Sequence, residues 1–345
     1  MVGRGLWVCK PRFGKRGRFG VVPALCVLIV SAALLALLFV DSIESWATSM
    51  NMNTMVEAQG GIIPPQSVPP TRPEEYLLMP SPLVCQPNQM ARQAIRDTWG
   101  GEVEVRGHRV MTLFMVGVAS DPGLAKLLIE EARERGDLIQ GRFWDSYSNL
   151  TLKTLSMLNW ARRFCPQAHF LAKVDDDVLF NPGALLRYLN RSTVTNTYEG
   201  AYPASVFPDY CSGTAYILSR SALLKISLTA AASPLPTPLP PEDVFVGLCA
   251  RAAGVLPSHC PLFSGGPAVP YGRCCYQAMV SIHHISPREM LRFWADIHSP
   301  PPCSWLGLRA SLGVCKVRAM LGTFLGPWAS TPDLTCQLII KPSLS

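Results

Sequence analysis

An apolar run extends from Gly20 to Val40, broken only by small or weakly polar residues and Pro23, and ends at Asp41. About 20 apolar residues suffice to cross a bilayer, so the run reads as a membrane-spanning helix. From Ser42 to about Pro82 neither a helical nor a strand period is visible, and the pairs Pro64-Pro65 and Pro69-Pro70 punctuate it; this stretch reads as a flexible stem. Beyond it the two periods alternate. Met90–Thr98 predicts a short amphipathic helix with Arg92 and Arg96 one turn apart, and Val110–Val116 a buried strand. Leu124–Arg135 predicts a helix stopped by Gly136, and Asp137–Gln140 a short strand. Thr151–Phe164 carries a helical stripe of Leu152, Leu155, Leu158 and Trp160, and Phe170–Val174 is a further apolar strand. Alternation of this kind predicts a three-layer α/β domain with helices about a mostly parallel sheet.

Charge orients the molecule. Arg4, Lys10, Arg12, Lys15, Arg16 and Arg18 precede the apolar run, with no acidic residue among them. The positive side stays cytoplasmic, which places everything after Val40 in the lumen or outside the cell. The formal charge of +7 then resolves into these six positives and 7 − 6 = +1 for the rest, so nothing argues for nucleic-acid binding. The expected organisation is a cytoplasmic tail (1–19), a signal anchor (20–40), a lumenal stem (41–82) and one lumenal domain (83–345). Ten of the twelve cysteines follow the anchor, where an oxidising compartment favours disulfides over metal ligation. The sequons at Asn149 and Asn190 fit the same placement.

The candidate chemistry centres on Asp175-Asp176-Asp177, set between Phe170–Val174 and Val178–Phe180. Carboxylates packed this closely repel one another, and a cation relieves the repulsion. At the end of a buried strand they sit on the rim where open α/β sheets bind ligands. Hard oxygen donors suit Mn²⁺ or Mg²⁺ partnered with phosphate oxygens, so the triplet reads as a metal–diphosphate site. Arg92 and Arg96 offer a planar, charged fork to a nucleotide phosphate, or else form a solvated helix face. Glu242-Asp243 follows Pro240-Pro241, as acidic residues do at a helix start.

Five blocks then fall in a recognisable order: RQAIRDTWG from Arg92, DSYSNLTLKT from Asp145, KVDDDV from Lys173, YCSGTAY from Tyr210 and EDVFVG from Glu242. Together they resemble the β-1,3-glycosyltransferases of glycosyltransferase family 31, which includes β-1,3-galactosyltransferases, β-1,3-N-acetylglucosaminyltransferases and Fringe. The tail, with Arg273-Cys274-Cys275-Tyr276, Cys303-Ser304-Trp305 and Cys315, is similar to the ganglioside-forming branch. The resemblance implies a GT-A fold, a UDP-sugar donor, Mn²⁺, inversion at the anomeric carbon and a Golgi location. It places Asp177 on the metal, Asp175 and Asp176 on the ribose, the donor sugar or the metal's waters, and His283 where a second metal ligand stands. It makes Asp243 the base and Glu242 its support or a contact for acceptor hydroxyls. Gly213 allows close backbone approach on the acceptor side, and Trp99 belongs to the core. The implied reaction moves galactose from UDP-galactose to a terminal N-acetylgalactosamine of a glycolipid. The alternatives are a GlcNAc-terminated acceptor, a UDP-GlcNAc donor, or a catalytically silent anchored module, and partnership with other Golgi glycosyltransferases is open.

Two segments depart from the family pattern. Where an apolar strand should precede the arginine block stands Met79–Pro87, whose prolines a central strand does not tolerate. Arg191–Asp209 is shorter than its counterpart and lacks a Lys-Trp pair. A missing strand would favour the silent module.

Overall fold

A computed structural model of the chain describes residues 21–40, 42, 44, 75–81, 88–190, 198–200, 209–232, 240–266 and 268–325. The N-terminal apolar run is helical as α1 (Val21–Leu38), 18 residues long. Among the described residues no helix is long and apolar enough to cross a membrane.

The domain proceeds as β1 (Glu75–Ser81), α2 (Gln89–Arg96), β2 (Glu104–Val105), β3 (His108–Thr112), β4 (Phe114–Val118), α3 (Pro122–Arg135), β5 (Leu138–Trp144) and α4 (Leu150–Phe164). It continues with β6 (Phe170–Asp175), β7 (Leu179–Phe180), α5 (Pro182–Leu189), β8 (Tyr198–Gly200), β9 (Ala215–Ser219), α6 (Arg220–Ala232) and α7 (Glu242–Ala252). Last come β10 (Ser258–His259), α8 (Arg273–Ala278), β11 (Ser281–Ile282), α9 (Pro287–His298) and α10 (Trp305–Leu325). Local chemistry sets many of these boundaries. Asp121 caps α3 by accepting from the Leu124 amide, Pro122 occupies its first turn, and Gly136 ends it at φ 68°, a conformation glycine adopts without cost. Ser286 and Glu289 close a reciprocal capping box at the start of α9.

Seven strands form the main sheet in the order β10-β8-β9-β6-β1-β3-β2. Three neighbour pairs are parallel, β10–β8, β6–β1 and β1–β3, and three are antiparallel, so the sheet is mixed rather than mostly parallel. The predicted strand Val110–Val116 is divided at Leu113: β3 pairs with β1, and β4 pairs with β5 in a separate parallel ribbon. Alternate residues of β6 and β9 feed two apolar cores. Val174 and Ile217 face one with Trp99 and Phe114, while Leu171, Tyr216 and Leu218 face the other with Met157 and Phe245. Burial on both faces is why these strands read as continuous apolar runs.

The strand expected to be missing is present. β1 lies at the centre of the sheet, in register with β6 from Tyr76↔Phe170 to Ser81↔Asp175, and with β3 only as far as Leu78↔Thr112. Past Leu78 the strand has one neighbour, the edge condition under which proline is tolerated. Pro80 therefore stands in a strand that is central at its beginning and an edge at its end. Residues 75–81 of the expected stem thus belong to the sheet. Of the shortened segment, Tyr198–Gly200 supplies β8, and the remainder up to Asp209 lies outside the described residues.

Candidate active site

β6 brings the acidic triplet to the end of the central strand. Its last residue is anchored by the Asp175 amide donating to the Thr214 carbonyl at 2.9 Å. Residues 171, 173 and 175 share a face, so Lys173 and Asp175 point to the side that α7 covers. Both are buried, and the Lys173 ammonium donates to Asp175 Oδ1 at 2.5 Å. Burial pushes the Asp175 carboxyl up, against the pull of Lys173. Burial alone would lower Lys173, but Asp175 and Glu242 outweigh it and keep the ammonium charged. Asp176 is buried as well, and its Oδ2 accepts from Asn88 Nδ2 at 3.1 Å. Asn88 is also the N-cap of α2, so the start of that helix is tied to the triplet.

Asp177 turns to the opposite partner. β11 pairs with β7 through Ile282↔Leu179, and the Ile285 amide donates to the Asp177 carbonyl at 2.8 Å. This pairing delivers His283 and His284 to the carboxylate. His283 Nε2 lies 3.0 Å and His284 Nδ1 3.9 Å from Asp177 Oδ2, and one donor atom from each residue falls within 4.8 Å of the others. Asp177 Oδ1 is buried without a hydrogen-bond partner, and a buried acceptor in that state calls for a ligand. His284 takes a left-handed backbone at φ 64°, uncommon away from glycine and the kind of local strain that gathers at functional sites. Burial, then the neighbouring His283, hold its imidazole below the ordinary range against Asp177, which favours the neutral form that binds metals. One carboxylate and two imidazoles with an unused oxygen fit a divalent transition ion.

Glu242 and Asp243 stand in the first turn of α7. Asp243 Oδ2 accepts from the Gly213 amide at 3.1 Å and Oδ1 from the Val244 amide at 2.9 Å. Glu242 is buried, its Oε1 accepting from the Tyr216 hydroxyl at 2.7 Å and its Oε2 lying 3.6 Å from the Lys173 ammonium. Lys173 also donates to the Gly213 carbonyl. The Gly213 backbone therefore joins the two halves: its N–H holds Asp243 and its carbonyl holds the lysine that holds Asp175. A Cβ at Gly213 would come within 3.1 Å of Glu242 Oε2, so a larger residue would push the carboxylates apart. Glu242 is thus buried against Tyr216 and Lys173 beside Asp243 in the chain.

Arg92 and Arg96 face carboxylates of the domain. Arg92 donates through Nε and Nη2 to the two oxygens of Glu131 at 2.8 and 2.5 Å. Arg96 donates to Asp137 at 2.7 and 2.8 Å and lies 2.8 Å from Glu131. Their forks are spent on carboxylates of α3 and of the residue preceding β5, so they fix α2 in place and the expected nucleotide contact is replaced by a structural one. Trp99 is core, fully buried, with its indole N–H donating to the Val178 carbonyl just past the triplet. His284 was weighed only as a competitor of His283, and Asn88, Lys173 and the pair of buried Lys153 with half-buried Asp145 at 2.7 Å were not singled out from the sequence. A lysine inside an apolar strand or stripe is the signal that could have found the two lysines, since such a charge needs a buried partner.

The galactosyltransferase family model matches residues 90–199 and 194–261. β-1,3-galactosyltransferase 9 of Homo sapiens is 33% identical over 260 residues, covering 69% of this chain and 70% of that protein. β-1,3-galactosyltransferase 4 of Mus musculus is 36% identical over 305 residues, covering 71% and 80%. Among solved structures, a glycosyltransferase involved in glycosylating the major capsid of PBCV-1 aligns with a TM-score of 0.37 at 11% identity, over 64% of this chain and 98% of that one, too loosely to argue from. The stretch matched by the family model carries the acidic triplet, the Gly213 loop and the Glu242-Asp243 helix start, and with relatives of these identities the chain belongs to the galactosyltransferase family that includes the β-1,3-galactosyltransferases.

Proposed function

We propose that the chain is an inverting, metal-dependent β-1,3-galactosyltransferase with a GT-A architecture, anchored in the Golgi membrane with its domain in the lumen. It moves galactose from UDP-galactose to the 3-hydroxyl of a terminal N-acetylgalactosamine on a glycolipid. The observation that carries this reading is the convergence of His283 and His284 on Asp177, whose second oxygen is buried and unpartnered.

Asp177, His283 and His284 would hold Mn²⁺, which neutralises charge developing on a diphosphate leaving group. Asp175 and Asp176 lie beside them at the strand end and would serve the ribose, the donor sugar or the metal's waters. Asp243 takes the proton of the acceptor hydroxyl as the new C–O bond forms on the face opposite the departing UDP, which inverts the anomeric centre. Glu242, Tyr216 and Lys173 hold that carboxylate's helix start in place. Galactose as the donor sugar is supported by the names of the relatives, and the glycolipid acceptor by the resemblance of the tail cysteines. The anchor and its orientation are supported by the six basic residues before the apolar run. With β1 in the sheet, one of the two departures that favoured a silent module is removed, and the shortened segment up to Asp209 is the other.

The test is transfer by the full chain in membranes, with UDP-galactose or UDP-GlcNAc and Mn²⁺. GalNAc-terminated glycolipid and GlcNAc-terminated acceptors are offered side by side, with and without chelator. Galactose on the glycolipid, abolished by chelator, is the expected result. Product on the other acceptor moves the substrate within the family, and no product from folded protein sinks the reading.

A further inference from the structure

The catalytic cleft leaves unused the longest helix of the described domain. α10 carries Arg309, Lys316 and Arg318 and no acidic residue. One side is fastened to the domain: Leu312, Cys315 and Ala319 are buried, and Cys315 is bonded to Cys275 of α8. The other side meets α1. A Cβ at Gly313 would collide with the backbone of Leu37, so the two helices approach at a glycine. Just past α1, the Glu44 carboxylate is met by the buried Lys316 ammonium and, at 3.0 Å, by His259 Nε2. The apolar segment and the domain are thereby joined at fixed points.

At 3.6 residues per turn Leu306, Gly313, Val317, Met320 and Leu321 fall on one arc of α10, with Arg309 and Arg318 at its two edges. Leu306, Met320 and Leu321 are exposed. α1 contains no charged residue, and its Leu28, Ile29, Leu34 and Leu35 are more than half exposed. An apolar arc edged by arginines is the pattern of a helix lying in a bilayer interface, its side chains in the acyl boundary and its cations at headgroups. Leu37 sits at the end of α1, so a lipid-embedded α1 sets Gly313 at interface depth.

We propose that α10 is a membrane-surface helix: its outer arc lies in the headgroup region of the bilayer that receives α1, with anionic lipid phosphates meeting Arg309 and Arg318. This rests on α1 entering lipid, as the anchor reading has it, and does not require α1 to span. The domain then rides on the membrane. His259 of the dock lies close in sequence to Ser264, whose carbonyl accepts from Thr214 of the acceptor loop at 3.2 Å. The surface helix accordingly holds the acceptor side of the cleft near a lipid-borne substrate.

The test uses the full chain in nanodiscs containing anionic phospholipid. Leu306→Cys, Leu321→Cys and, as a control on α3, Leu127→Cys are labelled with an environment-sensitive dye, the signal of the labelled unsubstituted chain being subtracted. Lipid-borne quencher should reduce the dye at 306 and 321 at least about twofold more than at 127, as interfacial burial of these positions requires. Equal, water-like behaviour at all three overturns the proposal. So does shielding at 306 and 321 without lipid quenching, the pattern expected if a second copy of the chain covers the arc. The double variant Leu306→Glu/Leu321→Glu should slow transfer to vesicle-borne acceptor about tenfold and leave soluble-acceptor transfer within about twofold, because it removes only local concentration. Equal slowing on both acceptors overturns the proposal too. A chain inactive on both acceptors yet quenched at 306 and 321 would refute the proposed activity and leave the surface helix standing.

Discussion

Lys173 sits in the middle of a buried strand, where an ammonium survives only among partners that compensate its lost hydration. It has three, Asp175, Glu242 and the Gly213 carbonyl, each from a different part of the site. Breaking a buried pair leaves the other charge uncompensated, at a cost of about 3–5 kcal/mol. Lys173→Met is expected to lower unfolding stability by that order in urea titrations; a change under about 1 kcal/mol would show that the cluster relaxes without its cation. Asp243 is a different case, because an isosteric amide keeps its size and one oxygen to accept from the Gly213 or Val244 amide, losing only the other bond. Asp243→Asn should keep UDP–Mn²⁺ binding within about threefold in calorimetry while transfer falls by roughly 10²–10⁴, the span general-base catalysis supplies. Unimpaired turnover would remove Asp243 from the role of base. Asp243 and His283 came from the resemblance, and only the triplet was legible as carboxylates breaking a strong apolar pattern. Lys173 and His284 were not, since their meaning lies in groups brought across the chain: the Gly213 loop for the one and the Asp177 carboxylate for the other.

Among the elements, α2 shows how a sequence pattern can be right in form and wrong in purpose. The amphipathic helix with arginines at i and i+4 is there, but both guanidinium groups turn inward onto Glu131 and Asp137, and Asn88 at the helix start reaches Asp176. A phosphate would have been an equal match for those forks; only the fold decides which anion is nearer. β1 was misread for a related reason. Proline is excluded from a strand with two neighbours, and the sequence does not say where along β1 the second neighbour ends. The ion cluster makes an acid-sensitive clamp. Burial pushes the Glu131 carboxyl up, but Arg92 and Arg96 outweigh it and hold it below the ordinary 4.5. A carboxylate depressed in the folded state contributes stability that is complete above its unfolded value and lost as pH falls through the folded one. Stability should therefore decline below about pH 4.5, and Glu131→Gln, already weaker near neutrality, should show a shallower decline in the acid limb. Parallel acid limbs for the two proteins would mean that other carboxylates control the transition.

At the scale of the molecule, the tail beyond α9 is fastened by covalent bonds. Cys274–Cys303 and Cys275–Cys315 join adjacent residues of α8 to the segment before α10 and to α10 itself. α8 leads into β11, which His283 and His284 directly follow, so the fastening bears on the candidate metal cluster as well as on the position of α10. The ten cysteines after the apolar run announced disulfides, yet their pairing is a property of the folded chain, where α8 and α10 are brought side by side. The Cys275–Cys315 link closes a sequence separation of 40 residues, for which the chain-entropy model gives about 4 kcal/mol. Cys275→Ser/Cys315→Ser should lower stability by about 2–4 kcal/mol and raise the Mn²⁺ concentration needed for half-maximal transfer, with proteolysis beginning near α10. If stability falls while the Mn²⁺ requirement stays unchanged, β11 is held by its pairing with β7 alone, and the disulfide serves the helix and not the metal.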